Sequence, residues 1–168
     1  MEGEIVNRVS QSKLVTLDLE EIYPKGERFH IDVSQWLEEG FILREKDFRE
    51  ALKSHDWSAY RDGFISMDCS TDAIVPAWAY MLIGSYLQGL AREVVVGSRE
   101  LLETLMFRKR LKTLDLEAYR DRPVIIKGCS NLPVPPSAYV WALQRIQEVA
   151  RSVMYGEACS PVPLFKKR

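Results

Sequence analysis

The chain has 168 residues, 23 Lys and Arg against 24 Asp and Glu, and 46% apolar content. That length suits one domain with a real core, since about 150 residues bury roughly two-thirds of their unfolded surface. Normal apolar content excludes a disordered chain, and a net charge of −1 leaves no basic excess for binding nucleic acid or anionic lipid.

The N-terminus, Met1-Glu2-Gly3-Glu4-Ile5-Val6-Asn7-Arg8, carries acids and no apolar stretch, so it does not read as a secretory signal. The expected compartment is the cytoplasm, with thiols kept reduced. Lys13–Leu17 and Arg28–Val33 read as strands around the turn Tyr23-Pro24-Lys25-Gly26. An N-terminal β hairpin or lid over residues 1–41 follows from that pattern.

Beyond residue 41 the chain resembles itself. Asp56-Trp57-Ser58-Ala59-Tyr60-Arg61-Asp62 matches Asp115-Leu116-Glu117-Ala118-Tyr119-Arg120-Asp121 at an offset of 59. The same offset pairs Phe48 with Phe107, Val75-Pro76 with Val134-Pro135, Ala79-Tyr80 with Ala138-Tyr139, and Gly97 with Gly156. A one-residue gap pairs Cys69-Ser70 with Cys129-Ser130. Residues 42–97 and 101–156 therefore read as two copies of a helix–strand–helix–strand unit within one domain, 1–168. Residues 157–168 are left as a C-terminal tail that contains a cysteine.

Within each copy, Gly63–Met67 and Pro123–Lys127 are short β-rich runs, and Val94–Val96 and Val153–Tyr155 are second strands closed by glycine. Tyr139, Ala142, Leu143, Ile146 and Val149 fall at helical spacing after a Val-Pro start. Glu100 to Lys112 is the helix between the copies. The uncharged run Ala73–Ala91 contains Pro76, Gly84 and Gly89, which suits a buried helix rather than a membrane span. Strands alternating with helices predict an α/β fold, a mainly parallel sheet flanked by helices.

Cys69, Cys129 and Cys159 each follow a predicted strand, and each is followed by serine. On one parallel sheet all three would lie at the carboxyl edge, where open α/β sheets bind ligands. The Val-Pro helix starts after Cys69 and Cys129 would place those thiols near helix N-termini, which favour thiolate. Three readings stand: ligands for zinc, iron or an iron–sulfur cluster, inert structural thiols, or a redox or nucleophilic thiol. For a metal, the fourth ligand would be Glu157, Glu100, Asp72 or water. No Cys-x-x-Cys motif occurs.

His55 lies in the loop entering the first repeat strand, at the end away from Cys69, so a capping or interface role suits it better than ligation. His30 sits in a predicted strand and reads as structural. Asp62 and Asp121 recur with Arg61 and Arg120 before the repeat strands and read as helix-to-strand turns rather than catalytic acids. No phosphate loop, nucleophile elbow or His-Glu-x-x-His occurs.

The runs Asp68-Cys69-Ser70, Val75-Pro76-Ala77-Trp78-Ala79-Tyr80, Lys127-Gly128-Cys129-Ser130-Asn131 and Gly156-Glu157-Ala158-Cys159-Ser160 resemble the bacterial domain of unknown function numbered twenty-four eighty. Glu4–Val9 and His55-Asp56-Trp57 add to the likeness, which covers nearly the whole chain. The resemblance implies a cytoplasmic bacterial protein and an association with iron–sulfur assembly proteins. The expected activity is then metal binding through Cys69, Cys129 and Cys159, with Glu157 as a further ligand. A thiol-dependent enzyme or sulfur carrier, and a non-catalytic interaction module, are the alternatives.

Overall fold

A computed structural model describes residues 14–128 and 131–167. They form two compact units. One is continuous, Lys25–Leu102; the other is split, drawn from Met1–Pro24 and Glu103–Arg168. Each unit has its own sheet and core.

The continuous unit holds β2 (Arg28–Asp32), α1 (Glu45–Ser54), β3 (Phe64–Asp68), α2 (Ala77–Leu87) and β4 (Glu93–Val96). Its sheet runs β2-β3-β4, all parallel, with Asp32 beside Asp68 and Met67 beside Val96. The split unit holds β1 (Val15–Asp18), most of α3 (Arg99–Lys112), β5 (Pro123–Lys127), α4 (Pro136–Gln147), β6 (Ser152–Tyr155) and β7 (Val162–Lys166). Its sheet runs β1-β5-β6-β7, parallel except for the β6–β7 pair.

Helix spacing and strand alternation account for the two cores. Phe48 and Leu52 of α1 and Ala79, Ile83 and Leu87 of α2 pack on Ile31, Ile65 and Met67. In the split unit Phe107 and Leu111 of α3 and Ala138, Ala142 and Ile146 of α4 pack on Leu17, Val124, Ile126 and Val153. Each large side chain removed from water contributes about 1.5–3 kcal/mol. The uncharged stretch Ala73–Ala91 holds helix α2 and its flanks, but α2 is not the buried helix expected: it buries only the face of Ala79, Ile83 and Leu87 and leaves Met81 exposed. Among the described residues no helix is long and apolar enough to cross a membrane.

The two units repeat individual hydrogen bonds at an offset of 59. Asp62 N–H donates to Leu90 O, and Asp121 N–H to Val149 O, both at 2.9 Å. Arg92 N–H donates to Gly63 O, and Arg151 N–H to Arg122 O. Gly97 N–H donates to Met67 O, and Gly156 N–H to Ile126 O. Asp62 and Asp121 both adopt positive φ, 59° and 54°, a left-handed turn that Asp tolerates better than most residues. They are entry turns to β3 and β5, as their sequence context predicts.

Three expectations are corrected. The N-terminal hairpin does not form: β1 pairs with β5 and β2 with β3, both parallel, in different sheets. Local alternation makes each a strand, but each first strand completes the sheet of its own unit beside the central strand. The single mainly parallel sheet is instead two sheets. The C-terminal tail contains a seventh strand, β7, antiparallel to β6. Pro163 is tolerated there because β7 is an edge strand, and it pairs with Met154 at an irregularity in the register.

Candidate functional site

The carboxyl edge of the β2-β3-β4 sheet carries the denser polar cluster. Asp32 ends β2 and caps the 3-10 turn Val33–Trp36, its Oδ1 accepting Ser34 N–H at 3.0 Å. The same carboxylate reaches across to the loop after β3. Ser70 N–H donates to Oδ1 at 3.1 Å and Ser70 Oγ–H to Oδ2 at 2.6 Å. Partial burial acts to raise the Asp32 pKa, but the hydrogen bonds from Ser70 and Ser34 outweigh it and hold the carboxyl well below the usual carboxylate range. Asp32 is therefore a fixed anion that stitches two loops together, and a poor proton acceptor.

Beside it, His30 bridges two β3 side chains. Its Nδ1 lies 2.9 Å from the hydroxyl of buried Ser66, and its Nε2 lies 3.1 Å from Asp68 Oδ1. Parallel pairing produces this contact: His30 is in register with Ser66, and Asp32 with Asp68, so all four project from one face.

Cys69 follows Asp68 and is partly buried. Its Sγ lies 3.3 Å from Thr71 Oγ1. The Thr71 hydroxyl donates its one proton to Gly40 O at 2.6 Å, so the thiol is the donor to Thr71. Helix α2 begins eight residues later behind Pro76, so the thiol's contact is with this loop threonine rather than with a helix N-terminus. Tyr80 faces the same cluster. Burial first, then electrostatic repulsion from the neighbouring acidic groups, Asp68 and Asp32 among them, push its phenol above the ordinary value.

The split unit has a different edge. Where Asp68 stands beside Asp32, Lys127 stands beside Asp18. Its Nζ lies 3.5 Å from Asp18 Oδ2 and 4.0 Å from Glu157 Oε1. Glu157 therefore faces a lysine, which competes with any metal cation for that carboxylate. Glu20 Oε1 accepts the N–H groups of Asn131 and Leu132 at 3.1 and 3.4 Å. Cys159 is exposed in the loop between β6 and β7, where Ser160 N–H closes a turn on Glu157 O.

The sequence-derived candidates distribute as follows. Cys69 belongs to the continuous unit, Cys159 and Glu157 to the split unit, and Cys129 lies outside the described residues. Asp72 is exposed, and Glu100 is held by the Ser98 hydroxyl in the first turn of α3. His55 ends α1, its Nε2 3.0 Å from Tyr60 Oη and its ring stacked on Tyr60 and edge-on to Trp57. His55 thus stands at the C-cap of α1, packed among aromatic rings, where its loop position had suggested a capping or interface role. Among the described residues no group of three or more His, Cys, Asp or Glu is arranged to hold a metal ion. Sequence reasoning missed the Asp32–Ser70 stitch and the His30–Asp68 pair. The available signals were Asp-x-Ser at 32–34, an Asx turn, and an Asp directly before Cys69-Ser70.

Two α/β sheets, one parallel and one mainly parallel, with polar carboxyl edges define the class of the fold. Residues 3–167 match the family described as Protein of unknown function (DUF2480), and the chain belongs to that family. No curated protein and no solved structure gives a significant match.

Proposed function

We propose that this is a cytoplasmic metal-binding protein that holds zinc or iron through cysteine thiolates. The observation that carries the reading is the position of the cysteines relative to parallel strands. Cys69 follows β3 directly, and Cys159 lies in the loop after β6. Cys129 comes two residues after β5, the strand hydrogen-bonded to β6. The described residues bring no three of His, Cys, Asp or Glu together for a metal, so the proposed site includes Cys129, the one thiol outside them. Cys69, Cys159 and Glu157 are the further candidate ligands. Iron–sulfur assembly proteins are the proposed partners.

The shared hydrogen bonds at an offset of 59 support descent of the two units from one duplicated element. On this reading the Cys-Ser element was duplicated with it, at 69–70 and 129–130. Elemental analysis of untagged protein purified without oxygen tests the function. One zinc or iron per chain, lost in Cys129→Ser, is expected. Substoichiometric metal, unchanged in the triple Cys→Ser variant, overturns the proposal.

A thiol-dependent enzyme or sulfur carrier is the second reading, favoured by the polar groups around Cys69. It requires Cys69 to be alkylated much faster than Cys129 and Cys159 near neutral pH. Equal, slow alkylation of all three removes it.

A further inference from the structure

The continuous unit also displays apolar side chains on a built support. Glu38 and Ile42 pair as an isolated antiparallel bridge, exchanging N–H···O bonds of 2.9 and 3.0 Å. The turn between them puts Glu39 at φ 52° and Gly40 at φ 77°. A non-glycine residue at that φ is strained, and the surrounding structure must hold it. Thr71 does so by donating to Gly40 O, and Arg44 is ion-paired with Glu38. This fixed hairpin leaves Phe41 56% and Ile42 51% exposed, beside Ile74 at 93%.

These side chains border a groove of about 660 Å³ whose floor includes Trp78. Its ionisable lining is acidic: Asp72, and Glu45, which is itself ion-paired with Arg49. The nearby Arg44 and Arg49 are committed to Glu38 and Glu45, and Arg49 also lies over the Trp78 ring at 5.5 Å. Residues 38–50 carry five acids, Glu38, Glu39, Glu45, Asp47 and Glu50, against three bases, Arg44, Lys46 and Arg49.

We infer that this groove is a docking surface for a partner protein that presents an apolar side chain flanked by lysine or arginine. Two apolar side chains on a strained and anchored turn, with Ile74 beside them, are what a recognition surface needs, since a rigid support lowers the ordering cost of binding. The acidic rim selects the sign of the partner's flanks and rejects acidic competitors. The inference is independent of the thiol reading.

The test uses the full-length chain and two synthetic peptides: a central Leu-Phe pair flanked by lysines, and the same pair flanked by glutamates. Binding is followed by amide and indole chemical shifts. The lysine peptide is expected to shift Phe41, Ile42, Ile74 and Trp78 saturably, and added salt to weaken it. Asp72→Lys should weaken it about tenfold. Ile74→Glu should abolish it with the remaining spectrum unchanged. Equal binding of both peptides, shifts located elsewhere, or no binding overturns the inference. So does concentration-dependent self-association that occupies these same residues.

Discussion

Ser70 gives both of its polar hydrogens to one carboxylate, its N–H to Asp32 Oδ1 at 3.1 Å and its hydroxyl to Oδ2 at 2.6 Å. With Ser34 N–H on Oδ1, the loop after β2 and the loop after β3 are tied at a single anion. The loop carrying Cys69 is positioned by that tie.

The tie carries a pH signature. The folded Asp32 carboxyl titrates below its unfolded value near 3.9, so its stabilisation is present above about pH 4 and is lost as the pH falls through the folded value. Asp32→Asn should lower stability at neutral pH by roughly 1 kcal/mol. The gap between variant and parent should close in acid. Denaturant melts across that range check both, and a gap independent of pH would reject the anionic tie.

The chain Cys69 Sγ–H, Thr71 Oγ1–H, Gly40 O links the thiol to the 38–42 hairpin. Thr71→Val removes both hydrogen bonds at similar side-chain volume and should cost roughly 1 kcal/mol. Amide exchange at Glu38 and Ile42, whose N–H groups close the hairpin, should accelerate. Unchanged exchange would show that Thr71 does not support the turn.

A side chain at Gly128 would require Tyr139 to move. A Cβ there would sit 2.4 Å from Tyr139 Oη and 3.0 Å from Cζ. Gly128→Ala should destabilise by about 1–3 kcal/mol, as overpacking does. Adding Tyr139→Phe removes the nearest atom and should restore part of that loss. A double variant no more stable than Gly128→Ala alone would place the cost elsewhere.

Phe48 and Phe107 occupy positions 59 apart and are both fully buried, one in each core. Truncation to alanine should cost about 3–5 kcal/mol in each case. Faster exchange should appear in β3 for Phe48→Ala and in β5 for Phe107→Ala. A small effect at either site would contradict its core assignment.

Much of the architecture was readable because its residues obey one local period. The runs at 63–67, 94–96, 123–127 and 153–155 became β3 to β6 within a residue or two, and Glu100–Lys112 lies inside α3. Pairing was not readable. The alternation in Arg28-Phe29-His30-Ile31-Asp32 makes a strand but does not say that β3 lies beside it. For the same reason His30 read as structural, although its partners Ser66 and Asp68 are fixed by register. Residues 157–168 read as a tail, and Pro163, which has no N–H to give a ladder, helped conceal β7. The inversion from Asp68 to Lys127 was visible at the offset of 59, but its meaning depended on Asp18 and Glu157, which no spacing rule brings together.

The central claim is thiolate ligation of a metal, and X-ray absorption at the metal edge addresses it most directly. Protein purified without oxygen and loaded with zinc or iron should show sulfur scatterers near about 2.3 Å, lost in Cys129→Ser. A shell of nitrogen and oxygen alone, near about 2.0–2.1 Å and unchanged in that variant, would contradict it.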